Sequence, residues 1–195
     1  MRRALLAGAC IVLALGGCAA SEPYAADSLD QLVLSEAAIT AVLGDLEFYA
    51  PPEQLTADDV PVPADSLESI AHGYPPGDDG SQLVEQSFGM TADARVASRV
   101  RLFDSTADAA AAFTELVAHS TGTVTLDGVS YELTTTAHSE TTLLVELAVI
   151  SGGEPSYASR LVEQRGNVIA VTAYLWPGTT APPWADALAG AARLP

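Results

Sequence analysis

The chain has 195 residues with 25 acids against eight basic side chains, giving a net charge of −17. All eight cations are arginines, and such a balance excludes a nucleic-acid role, because phosphate binding needs a basic footprint. It equally excludes electrostatic adhesion to anionic lipid headgroups.

The N-terminus sets the address. Arg2 and Arg3 precede an apolar run, Ala4 to Leu15, which is closed by Leu15-Gly16-Gly17-Cys18. Roughly a dozen apolar residues fit the core of a signal peptide and fall short of the ~20 needed to span a bilayer. Small residues before a cysteine resemble a bacterial lipobox. The resemblance implies that residues 1–17 are removed and that the Cys18 thiol is acylated, with palmitate or a similar chain, on the outer face of the cell membrane. The alternative, an ordinary signal peptide, leaves Cys18 a free thiol in the same compartment. Removal of residues 1–17 leaves 178 residues, with six arginines against 25 acids and a net charge of −19. That length suits one domain with a real core. The other cysteine, Cys10, goes with the signal, so no disulfide forms within the mature domain. The arginine-only, alanine-rich usage fits a high-GC genome such as that of an actinobacterium.

Residues 18–28 are expected to form the lipidated cysteine and a flexible tether, and residues 29–195 a single domain. Ser35 is placed to cap a helix over Glu36–Leu43, and Gly44 to end it. Residues 45–80 carry Pro51, Pro52, Pro61, Pro63, Pro75 and Pro76 together with Asp58-Asp59 and Asp78-Asp79. They read as an irregular acidic excursion with room for a short helix between Asp65 and His72. From Gln82 the pattern is regular. Leu83 to Phe88 and Ala94 to Phe103 alternate as strands, the second with Val96, Val100 and Leu102 on one face and Arg95, Arg99 and Arg101 on the other. Ser105-Thr-Ala-Asp108 opens a helix running to His119 with the pattern of a capping box. Val124 to Leu126 and Val129 to Thr136 pair across Asp127-Gly128, a strong hairpin signal. Thr141 to Ile150, Ser156 to Gln164 and Val168 to Trp176 continue as strands. Pro182-Pro183 then starts a terminal helix carrying Trp184 and Leu188. Hairpin-linked strands with helices before, between and after them predict an α+β fold, a mostly antiparallel sheet with helices packed mainly on one face. No second apolar run is long enough to span a membrane.

Chemistry is sparse. His72, His119 and His138 are far apart, with no second His or Cys at metal-ligand spacing, so no metal or other cofactor is expected. No GxSxG elbow, SxxK motif or phosphate-binding glycine loop occurs. Two groups remain. Arg95, Arg99 and Arg101 form either a salt-bridged sheet face or the lining of an anion pocket. Tyr131, Tyr157, Tyr174 and Trp176, with Trp184, are either core aromatics or the walls of an apolar cleft.

Leu32 to Gly44, the strand and Ala-rich helix of Val100 to Phe113, and Arg165-Gly-Asn-Val-Ile-Ala-Val171 together resemble the actinobacterial PknH-like extracellular sensor family, over about residues 29–194. The resemblance implies an antiparallel sheet flanked by helices, a cleft for an extracellular ligand, and no catalysis. The chain departs from that family in lacking its disulfide cysteines. A second resemblance is to the LpqN lipoprotein family, with its Mog1/PsbP-like sandwich. The function expected is therefore a membrane-anchored, non-enzymatic domain that binds a small or lipidic ligand. The alternatives are an accessory module contacting another envelope protein and, third, a hydrolase.

Overall fold

Strands β1 (Phe48–Leu55), β2 (Val84–Met90), β3 (Arg95–Leu102), β4 (Gly122–Leu126), β5 (Val129–His138), β6 (Thr142–Ser151), β7 (Tyr157–Arg165) and β8 (Val168–Trp176) form one sheet in the computed structural model. It describes residues 23–55, 66–76, 84–154 and 156–193. The order is β1-β2-β3-β8-β7-β6-β5-β4, and every pairing is antiparallel. β8 therefore enters between β3 and β7, joining a three-stranded N-terminal half to the hairpin series β4–β7. The predicted class, α+β and mostly antiparallel, is what forms.

The helices cover both faces rather than mainly one, because the strands at the centre of the sheet carry apolar side chains on both sides. On one lie α2 (Ser66–His72) and α3 (Thr106–Ala118), over a core that includes Phe103, Phe113, Leu116, Leu133, Leu143, Val145, Val162 and Ile169. On the other lie a 3-10 helix (Ala26–Gln31), α1 (Glu36–Leu43) and α4 (Ala185–Ala191), whose cores include Leu29, Leu34, Ile39, Val96, Val100, Leu161 and Leu188. Strand alternation makes this possible: Ile169 and Val171 point to the first face, while Val168, Ala170 and Tyr174 point to the second. Covered on both sides, β8 reads as a continuous buried run from Val168 to Tyr174.

Local signals explain the helix ends. Ser105 Oγ accepts from the Asp108 amide at 3.1 Å and donates to the Asp108 carboxylate at 2.6 Å, so one hydroxyl both caps α3 and orients its first acid. At the other end the His119 ring lies 3.0 Å from the Glu115 carbonyl. Ser35 caps α1 through the Ala38 amide. Gly89 lets α1 lie close to the sheet, because a Cβ there would stand 3.1 Å from Ile39. Ser87 and Ser98, adjacent across β2 and β3, bind the backbone of Leu34 at 2.7 and 3.1 Å and fix the entry to α1.

Within the proline-rich excursion the structure forms more order than its composition suggests. Pro51 and Pro52 lie in β1, an edge strand whose register shifts between Ala50 and Glu53. An edge leaves one row of amides without ladder partners, which is where proline is tolerated. The short helix expected between Asp65 and His72 is α2. Asp58-Asp59, Asp78-Asp79 and the lipobox lie outside the described residues. Of the segment assigned to a tether, Ala26 to Ser28 begin the 3-10 helix, and the Tyr24 amide donates to Asn167 Oδ1 at 2.7 Å. Asn167 is 5 % exposed, and its Nδ2 donates to the carbonyls of Tyr24 and Phe103. Its side chain thus fastens the start of the domain to the β7–β8 turn.

Candidate functional site

A cleft of about 100 Å³ lies between α4 and the strands β6, β7 and β8. Leu144, Leu161 and Thr172, neighbours across three strands, line its sheet side, and Ala185, Leu188 and Ala189 line its helix side. Tyr157 and Tyr174 also border it, stacked with ring centroids 6.1 Å apart. Trp184 meets Tyr174 edge-on at 5.1 Å and Trp176 at 5.9 Å, which braces the start of α4 against the sheet. The Tyr157 hydroxyl donates to Glu146 Oε1 at 2.6 Å. Asp186, in the first turn of α4, supplies a second carboxylate to the same cleft.

Burial raises the pKa of both tyrosines. For Tyr157 the hydrogen bond to Glu146 adds strongly to the effect, and for Tyr174 the charges of Glu146 and Asp186 add to it, so both phenols stay protonated at neutral pH. The cleft therefore presents an apolar floor, two aromatic rings and two carboxylates, and none of its lining residues is a cation.

Of the aromatic residues singled out in the sequence, Tyr157, Tyr174, Trp176 and Trp184 meet on this face. Tyr131 lies on the opposite face, packed against the core beneath α2 and α3. The acids Glu146 and Asp186 were not singled out. For Glu146 a signal existed, since alternation along β6 places it on the same face as Leu144.

The arginine stripe has a different setting. Arg95, Arg99 and Arg101 share the α2 face, as their spacing predicts. Arg95 is exposed beside Asp93, Glu154 and Leu175, and Arg101 is buried at 2 % exposure. Arg99 donates from Nε to Gln86 at 2.6 Å and from Nη1 to the Gly73 carbonyl at 2.9 Å, and its guanidinium lies 4.1 Å from the centre of the Tyr74 ring. Beside it Arg160, on β7, donates to the carbonyls of Ile70 at 3.1 Å and Ala71 at 2.9 Å. Two guanidinium groups thus receive the C-terminal carbonyls of α2, where the helix dipole favours positive charge. Burial and the neighbouring Arg99 lower the Arg160 pKa to about 10, so it remains charged at neutral pH.

Gly73 makes the close approach possible. The Tyr74 amide donates to the Ser69 carbonyl and the Gly73 amide to that of Ile70, a Schellman closure with Gly73 at φ +73°.

Among the described residues no group of three or more His, Cys, Asp or Glu side chains is placed to hold a metal ion, and no helix is long and apolar enough to cross a membrane. No family model matches the chain, and no curated protein is significantly similar to it in sequence. Its fold is similar to the crystal structure of the extracellular domain of PknH from Mycobacterium tuberculosis. The TM-score is 0.64 at 19 % identity, over 88 % of this chain and 95 % of that one. At that identity the likeness concerns the fold, and the chain shares the architecture of an extracellular domain almost end to end.

Proposed function

We propose that this chain is an extracytoplasmic lipoprotein, held at the membrane by a lipid on Cys18, whose domain binds a small ligand without catalysis. The cleft beneath α4 carries the reading: it is concave, largely apolar, and crossed by a few polar groups, the usual make-up of a small-molecule site. Its fold likeness to the extracellular domain of PknH supports the extracytoplasmic setting. Membrane attachment rests on the lipobox and on composition, since a domain with this acidity gains nothing from lipid headgroups and depends on acyl chains.

Two measurements test it. Native mass spectrometry of the purified chain should show a co-purifying small molecule that is lost when Leu188→Trp fills the cleft; an empty protein that binds nothing from an envelope extract would overturn ligand binding. Cys18→Ala should abolish palmitate labelling and release the protein from membranes. Unchanged membrane retention would refute the anchor.

A further inference from the structure

Resting on that reading, we propose that the cleft between α4 and the sheet selects a compact organic cation, an alkylammonium or quaternary ammonium head, by pairing it with Glu146 and Asp186 against the faces of Tyr157 and Tyr174. Charge argues first. Both carboxylates line the cleft beside Tyr174, and none of the lining residues is an arginine or histidine. Arg193, just past α4, pairs with Glu163 at 3.0 Å rather than with Glu146 or Asp186. An anionic ligand would enter a site of its own sign on a chain of net charge −17. A cation is instead drawn in by the field of the whole molecule.

Shape and hydrogen-bonding capacity narrow the class. Tyr157 spends its proton on Glu146, so what it offers a ligand is acceptor oxygen and the ring face. Aromatic faces attract a cation by about 0.5–2 kcal/mol, more as water is excluded. The floor of Leu144, Leu161 and Leu188 suits alkyl groups and poorly suits a bare, strongly hydrated metal ion. The volume, about 100 Å³, is below the roughly 150 Å³ that accommodates benzene in an engineered cavity. A cleft of that size seats the methyl or methylene groups of an ammonium head rather than a whole ligand, and any longer chain stays outside.

The test uses the mature chain carrying Cys18→Ser, titrated with choline chloride and, separately, with 3,3-dimethylbutan-1-ol, its uncharged isostere, while tryptophan fluorescence and amide NMR shifts of α4 and β8 are followed. Choline should bind at least about tenfold more tightly than the alcohol, a difference of ~1.4 kcal/mol, and weaken as salt is added. Asp186→Asn and Glu146→Gln should each weaken choline about three- to tenfold, with circular dichroism unchanged and the alcohol unaffected. Asp186 is exposed, so its replacement leaves packing alone. Equal affinity for the two probes, indifference to both substitutions, or no binding of choline overturns the proposal. If the small molecule found by native mass spectrometry is neutral or acidic and occupies this cleft, the cation assignment fails while ligand binding stands.

Discussion

Replacing Gly73 by alanine isolates the close approach of α2 to the sheet. The position demands two things at once, a positive φ of +73° and an open volume, because an added Cβ would stand 2.8 Å from Ala173 Cβ and 3.1 Å from Arg160 Nε. Ala173 is fixed to β8 and has no flexible end to swing away. Gly128 offers the control: it also has positive φ, +83°, but nothing lies within 4 Å of where its Cβ would be. Left-handed strain costs an L-residue about 1–2 kcal/mol, so Gly128→Ala should cost roughly that and no more. Gly73→Ala adds overpacking of about 1–3 kcal/mol, for a total near 3 kcal/mol, because relief requires lifting α2 from Arg99 and Arg160. With ~2–4 °C per kcal/mol for a domain of this size, the melting temperature should fall by about 10 °C for Gly73→Ala and about 4 °C for Gly128→Ala. Urea titration gives the free energies, and hydrogen exchange should show α2 amides losing protection in Gly73→Ala alone. Adding Ala173→Gly should restore part of the loss, a coupling readable from a double-mutant cycle. Equal destabilisation by the two alanines would refute the packing argument.

Two further outcomes follow from single side chains. Burial, then the charges of Asp30 and Glu53, raise the pKa of Glu85, so the fold favours its protonated form. The stability this contributes is complete below the unfolded pKa and is lost as pH rises through the folded one; Glu85→Gln should therefore raise the melting temperature at pH 7 and leave it nearly unchanged at pH 4. Equal gains at both pH values would contradict that sign. Asn167→Ala removes the clasp on Tyr24 and leaves buried groups unmatched, at about 2–3 kcal/mol. Its mark is faster amide exchange over residues 24–34 while β7 and β8 stay protected, and uniform loss across the domain would count against a local clasp.

How much of this was legible in the sequence differs by element. β3 and β5 to β8 announce themselves by alternation and hairpin turns, and α3 by its capping box, because each signal is local. β1 is hidden: Pro51-Pro52 argues against a strand, and only its place at the sheet edge, a tertiary fact, makes it one. The arginine stripe shows the same divide. Alternation put Arg99 on the correct face, but its partner is a helix terminus from a distant segment, which spacing along one strand does not reveal. Arg160, flanked on β7 by the inward-facing Ala158 and Val162, was detectable as a lone cation in a buried register, though its target was not. For the cleft, Tyr157 and Tyr174 were visible as aromatics, while the pairing of Glu146 with Asp186 depends on where α4 comes to rest.

The clasp of Asn167 on Tyr24 has a consequence for orientation. Under the proposed acylation of Cys18, six residue steps separate the lipid from the fastened Tyr24, a contour length of at most about 20 Å. That length exceeds the ~8 Å over which charges are felt at physiological salt, so the proposed anchor would let the acidic domain stand clear of anionic headgroups without drifting far from them. On that proposal the β7–β8 turn would be the end nearest the bilayer. Tyr174 lies seven residues farther along, some 20 Å up the strand, so on the proposed anchor the cleft would stand off the bilayer, within reach of dissolved molecules rather than of lipid tails.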